Sequence, residues 1–333
     1  MMKLSPFMKK AFIKNIIVIC LYQLIFFIPQ TQGIEITSVE RIVKDVSFPV
    51  ALIYFDKDTI LFTEKDGVIR TIKEGKLQKE PLKRFDVTTG FERGLLGIAC
   101  KDKKVYVYYT YTIGFKTYNR VVLINPEKII LDKIPGAIIH NGGILTFGPD
   151  GKLYISTGDA RDEDLSQDLK SLAGKILRIN PDGTIPGDNP FKGSPVWSIG
   201  HRNVFGMAFD ERGDLYITEN GTNRDDEINI IEKGKNYGWP VVLGFSSDTR
   251  FVNPIKTYTP NIAPTNATFY KDWFIFGAWN NGEIIGLRIN DKKVVEEKVL
   301  YRHKSGITDV KYFPDGYLYF SSKDGIYRGK IKY

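Results

Sequence analysis

Histidine, cysteine and tryptophan are scarce in this 333-residue chain, at three, two and four residues. Cys20 lies in an apolar N-terminal stretch, so residues 34–333 carry one thiol, Cys100, and no internal disulfide. Stability must then come from a large core, which a chain of this length can build. No Cys/His cluster has zinc-site spacing. Cys100 sits in a strand-like stretch with nothing beside it to activate a nucleophile, and is expected to be a small core residue. Dense Lys/Arg runs are also missing. The net charge is +8, of which Lys3, Lys9, Lys10 and Lys14 supply four, leaving +4 beyond residue 33. Nucleic acid is therefore not an expected partner.

Strand formers are abundant: 18 Tyr, 21 Phe and many Ile and Val. The N-terminus reads as a targeting segment. Lys9, Lys10 and Lys14 precede an apolar run from Ile16 to Ile28 broken only by Gln23, and Thr31 and Gly33 offer small residues for cleavage. The run is short for a membrane span of about 20 residues. Residues 1–33 are expected to be a signal peptide or an N-terminal anchor, with the protein secreted or extracytoplasmic. Any membrane contact would run through that anchor alone.

A Gly/Asp turn followed by an alternating strand recurs through the rest of the chain. It appears as DKDTILFTEKDG from Asp56, DKKVYVYYTYT from Asp102, PDGKLYISTGD from Pro149, ERGDLYITENG from Glu211, KDWFIFGAWNNG from Lys271 and PDGYLYFSSKDG from Pro314. Taken at Asp58, Lys103, Gly151, Gly213, Asp272 and Gly316, successive copies are 45, 48, 62, 59 and 44 residues apart, with no long helical period between them. Such spacing predicts an all-β six-bladed β-propeller with four-stranded blades over residues 34–333, because one blade cannot bury both faces and a closed ring can. A β-sandwich or irregular all-β fold is the alternative. The residues just beyond each repeated strand should line one end of the central channel, and a strand near Ile36–Val46 should pair with the last blade.

The densest chemistry falls between Gly200 and Pro240. Arg202-Asn203 precedes one strand, and TENGTNRDDEINIIEKGKNYGWP follows it from Thr218. A capped turn and a solvated acidic loop would explain each part singly; together they put a cation, an amide and a metal-competent loop at the ends of one β-element. His140 opens HNGGILTFGPDG, and Asp159 ends the next strand of the same blade, where it can hold the imidazole in one tautomer for a general base. His201 fits a turn residue satisfying backbone groups, and His303 lacks close acidic neighbours in sequence. Calcium wants six to eight oxygens, many of them carbonyls. The Asn220-Gly221-Thr222 turn can supply some, and Glu227 with Tyr237 a second site.

With these residues assembled, the chain resembles the soluble quinoprotein sugar dehydrogenases, the aldose sugar or glucose/sorbosone dehydrogenase family. The resemblance runs from about Phe48 to the C-terminus. It rests on ERGLLGIA from Glu92, HNGGILTFGPDGKLYISTGD from His140, SLAGKILRINPDGTIPGDNPF from Ser171, WSIGHRNVFGMAFD from Trp197, DDEINIIEKGKNYGWP from Asp225 and IAPTNATFY from Ile262. It implies a six-bladed propeller using pyrroloquinoline quinone and Ca2+ to oxidise an aldose substrate at C1, with an external electron acceptor as partner. His140 then corresponds to the general base, Asp159 to its orienting carboxylate, and Arg202 and Asn203 to the pair at the quinone oxygens. The Gly221 and Thr222 carbonyls correspond to ligands of the cofactor-facing calcium, and Glu227 and Tyr237 to ligands of an additional one.

The sequence departs from that pattern where the cofactor's three carboxylates are usually met by a lysine and two arginines. Those positions are here Asn280, Gly306 and Thr308, and Glu92 stands where some members have Gln. Each lost charge-assisted hydrogen bond costs about 1.5–3 kcal/mol. Arg93, Arg302, His303 and Lys304 are the expected compensators. Two other readings stay open: a propeller without quinone that binds sugar or protein, and a calcium-dependent sugar lactone hydrolase.

Overall fold

Three of the repeated strands, Leu153–Ser156, Leu215–Glu219 and Trp273–Ala278, are buried at every position. Strands buried on both faces must sit inside stacked sheets. A computed structural model of the protein, describing residues 33–333, places them so. Residues 35–332 form one compact unit of six antiparallel sheets, a six-bladed β-propeller. The innermost strands of blades I to VI are Pro49–Asp56, Leu95–Lys101, Leu145–Phe147, Val204–Phe209, Pro264–Tyr270 and Ile307–Tyr312. Each repeated strand is the second of its blade, paired antiparallel to the innermost one. Blade I departs slightly, since its fourth strand is split into Lys76–Leu77 and Lys83–Arg84, both paired with Val68–Lys73. The targeting segment lies outside the described residues apart from Gly33.

Core clusters fill the gaps between neighbouring blades. Tyr106, Tyr108 and Leu123 of blade II meet Leu153, Ile155 and Leu177 of blade III, and Ala51 and Leu61 of blade I meet Val107 and Tyr109 of blade II. The Ser or Thr of the repeat explains itself here. Thr63 Oγ1 donates to Leu96 O at 2.7 Å, Ser156 Oγ to Val204 O at 3.0 Å, and Thr218 Oγ1 to Thr265 O at 2.9 Å. Each bond ties a second strand to the inner strand of the next blade. Blade V has Gly277 at that position, and Thr265 of its inner strand donates to Ile307 O instead.

The ring closes between the chain ends, as expected: Glu35–Val43 is the outer strand of blade VI, antiparallel to Gly325–Lys332. Antiparallel neighbours run oppositely, so the starts of inner strands and the ends of second strands share one mouth of the channel. In five blades the inner strand opens with a register irregularity, such as Val204/Gly206 and Pro264/Ala267, which turns side chains toward that mouth. Blade III instead gives up the start of its inner strand, and residues 140–144 run as a loop. Cys100 lies at the far end of the channel, half-buried rather than in the core as expected, and burial raises its thiol pKa.

Candidate active site

The loop that replaces the start of blade III's inner strand delivers His140. Its backbone is left-handed, with φ of 59°, and its N–H donates to Glu92 Oε2 at 2.6 Å. The loop packs backbone to backbone on the end of the second strand. A Cβ at Gly158 would lie 2.0 Å from His140 O, so only glycine fits between the histidine and Asp159.

Asp159 is buried, and each oxygen is occupied. Oδ1 accepts from His140 Nδ1 and from Arg161 N, both at 2.8 Å, and Oδ2 accepts from Trp239 Nε1 at 3.0 Å. On the other side of the ring, Arg202 Nη2 lies 3.0 Å from His140 Nε2. A guanidinium only donates, so Nε2 is the bare nitrogen and Nδ1 carries the proton to Asp159. The carboxylate and the guanidinium thus select one tautomer of a neutral imidazole, with its Nε2 lone pair held by Arg202.

Arg202 is itself fixed from several sides. Its Nη1 donates to Asn220 O at 3.0 Å and to Gly221 O, its backbone N–H donates to Glu219 Oε1 at 2.5 Å, and its plane lies 5.4 Å from Trp239. Its Nε is buried without a partner. Burial lowers the guanidinium pKa, while Asp159, Glu219, Glu92 and Asp226 pull it back up. Glu219 also accepts from His201 Nδ1 at 2.8 Å, and His201 Nε2 contacts Ser198 Oγ at 2.8 Å. His201 is wholly buried against Tyr237 and serves this frame. His303 is likewise turned away, against Asp324 and Tyr327.

A cavity of about 300 Å³ is lined not by His140 or Arg202 themselves but by Glu92 and Asn220, to which they donate, and its volume is inside the range of about 300–1,000 Å³ for small-molecule sites. Its wall includes Phe48, Lys65, Glu92, Asn203, Asn220 and Trp279. Glu92 and Asn203 are committed to holding loops together: Asn203 Nδ2 donates to Glu92 Oε2 at 3.2 Å, and its Oδ1 accepts from Gly142 N at 3.0 Å.

The profile of the glucose/sorbosone dehydrogenase family matches residues 46–328. The chain belongs to that family. It is an oxidoreductase by that membership. An uncharacterized Synechocystis protein is 31% identical, over 88% of this chain and 85% of its own length. Aldose sugar dehydrogenase YliI of Escherichia coli is 28% identical, over 90% and 92%. Among solved structures, the PQQ-bound aldose sugar dehydrogenase of Streptomyces coelicolor superimposes with a TM-score of 0.84 at 27% identity, covering 90% of this chain and 99% of its own.

For a glucose/sorbosone dehydrogenase, the expected carboxylate-binding positions are rebuilt. Thr308 lines the cavity, but its hydroxyl donates to Pro49 O at 2.8 Å and contacts Ser321 Oγ at 2.7 Å. Asn280 is exposed outside the cavity wall and donates to Asn261 O at 3.0 Å. At Gly306 a Cβ would lie 2.5 Å from the Trp279 ring, so the indole fills the space a longer side chain would need. The expected compensators are also occupied: Arg302 pairs with Glu283, Lys304 with Asp324, and Arg93 donates to Gly90 O. The cation in the wall is Lys65, which the sequence reading missed. A signal existed, because Lys65, Asn220 and Trp279 follow the repeated strand at the same offset, in Thr63-Glu64-Lys65, Thr218-Glu219-Asn220 and Gly277-Ala278-Trp279.

The oxygens expected to bind metal divide into two groups. Gly221 O accepts from Arg202 and Thr222 O from Asn261 Nδ2 at 3.2 Å. A carbonyl has two lone pairs, so each keeps one. Glu227 is buried, accepting from Gly244 N at 2.7 Å and Asn229 Nδ2 at 2.9 Å. Burial, and then Glu219, raises its carboxyl to about 8. Beside it Asn229 Oδ1 has no partner. The Tyr237 hydroxyl is spent, donating to Ile230 O at 2.6 Å and accepting from Glu232 N at 2.8 Å, so only its carbonyl is left for a metal.

Proposed function

We propose that this enzyme oxidises aldose sugars at C1 to lactones with pyrroloquinoline quinone and Ca2+, passing electrons to an external acceptor. The observation that carries the reading is the Asp159–His140–Arg202 chain beside the cavity, which presents a neutral imidazole with Nε2 bare. The residues fit the cofactor. The cavity has flat aromatic walls, the buried Arg202 Nε lacks a partner, and the Gly221 and Thr222 carbonyls each keep a lone pair for a hard cation.

Bound quinone supplies a two-electron acceptor, and Ca2+ supplies positive charge beside it. His140 Nε2 takes the proton of the anomeric hydroxyl as hydride leaves C1, and the C1–O1 bond becomes the lactone carbonyl. Asp159 stabilises the imidazolium formed and keeps the ring aligned. Arg202 would hold the quinone oxygen, leaving His140 Nε2 free to accept, and its charge would offset the negative charge that develops there. Glu219 holds the Arg202 backbone in place.

Incubating the apoprotein with quinone and CaCl2, then assaying aldose oxidation with a dye acceptor and lactone by chromatography, tests this. Quinone-dependent lactone formation supports it. Sugar binding without turnover would leave a binding module, and consumption of added lactone without quinone would indicate a hydrolase. Export by way of residues 1–33 belongs to the same proposal, and activity confined to the cytoplasmic fraction of expressing cells would refute it.

A further inference from the structure

The channel-mouth cavity holds one side-chain cation, Lys65, and its placement is built rather than incidental. Its backbone is clamped, with Lys65 N donating to Phe48 O at 3.1 Å and Lys65 O accepting from Leu95 N at 3.0 Å. Gly94 permits this approach, since a Cβ there would lie 2.1 Å from Lys65 O. The side chain crosses the Phe48 ring with Nζ 4.8 Å from its centroid and donates to Phe91 O. An ammonium has three donors, and this one has a single protein acceptor. Among the described residues Lys65 forms no ion pair, although it is half-buried. Burial lowers its pKa, and Glu92, the one carboxylate on the same wall, partly restores it through space. Glu92 Oε2 is already shared by the His140 and Asn203 donors. Around Lys65 the wall is aromatic: Phe48 lies 5.6 Å from Trp279 at 31°, and Phe91 and Phe205 complete it.

A half-buried cation with unused donors between aromatic faces recognises a flat aromatic anion. We propose that Lys65 binds a carboxylate of the quinone, so that blade I supplies a charge that Asn280, Gly306 and Thr308 do not. This rests on the quinone reading above and adds the residue that selects for the ligand's charge. The aromatic pair and the cation belong together: the Trp279 indole that fills the space at Gly306 also forms the wall against which the anion lies.

The test is a titration of the calcium-loaded apoprotein with pyrroloquinoline quinone and, separately, with its trimethyl ester, followed by calorimetry. A lost charge-assisted hydrogen bond corresponds to a roughly 10- to 150-fold change in affinity. Lys65→Met should weaken the quinone by that factor, Lys65→Arg should stay within about threefold of wild type, and the ester should bind wild type and Lys65→Met alike. In the wild type alone, added NaCl should weaken the acid and leave the ester unchanged, which tests the charge even if a variant fails to fold. Equal quinone affinity in wild type and Lys65→Met would overturn the role of Lys65 and leave the quinone reading standing. Equal losses for acid and ester would also overturn it, as a packing effect. No binding to wild type would overturn both.

Discussion

Replacing Asp159 by Asn changes one oxygen for an amide in a site where every neighbour is a donor. His140 Nδ1, Arg161 N and Trp239 Nε1 all point at the carboxylate, at 2.8, 2.8 and 3.0 Å. An amide oxygen can face only one side. If it stays on His140 and Arg161, the NH2 group opposes the Trp239 N–H. If it turns to Trp239, the NH2 group donates to Nδ1, the ring proton moves to Nε2, and the base has no lone pair there. The first outcome leaves a conflict at Trp239 and removes the charge that stabilises the imidazolium; the second leaves conflicts at Arg161 N and at Arg202 Nη2 and removes the lone pair, so either one impairs the base. Turnover should then fall by the worth of a positioned base, about 10²–10⁴, or about 2.7–5.4 kcal/mol of barrier at 1.36 kcal/mol per decade. Quinone affinity should stay within about threefold, because Asp159 reaches the site only through His140 Nδ1. Steady-state aldose oxidation after quinone and calcium loading, beside a quinone titration, separates the two. An Asp159→Asn variant that keeps more than a third of wild-type turnover would refute the role of Asp159 on His140.

Arg202→Met should lose both turnover and quinone affinity, measured in the same two assays, since Arg202 touches His140 and is assigned to the quinone oxygen. Lys175→Met should destabilise the fold by several kcal/mol in urea melts, because the buried ammonium serves Leu165 O, Ser166 O and Ala173 O at 2.6–3.0 Å and each orphaned acceptor costs about 1–3 kcal/mol. Quinone affinity should fall as pH rises toward the Lys65 pKa, which burial places below the ordinary lysine value and Glu92 partly restores. The cation is present below that pKa and lost above it, so the loss should begin earlier than for an exposed lysine and vanish from the titration in Lys65→Arg. Gly306→Ala should lower the melting temperature by the equivalent of about 1–3 kcal/mol, because its Cβ meets the Trp279 ring and carbonyl; combined with Trp279→Ala the penalty should shrink.

Much of this protein was legible in its residues. The spacing of the repeated strands, read with the need of each blade to bury two faces, determined six blades, and the strand near Ile36 closed the ring where expected. His140, Asp159 and Arg202 were legible because strand ends of adjacent blades must converge on one mouth, and they now lie within hydrogen-bond distance. Only the tertiary structure decided the lining of the cavity. Lys65 and Trp279 share a repeat offset with Asn220, but facing a common space depends on strand bulges and on the glycines at 94 and 306, which set how closely neighbouring blades approach. The same holds for Asn280, Thr308, Arg302 and Lys304, whose polar atoms are taken by neighbours from other segments. A sequence shows which charges exist; which of them remains unpaired beside a ligand is settled by packing, because every buried donor and acceptor takes the nearest partner the fold brings to it.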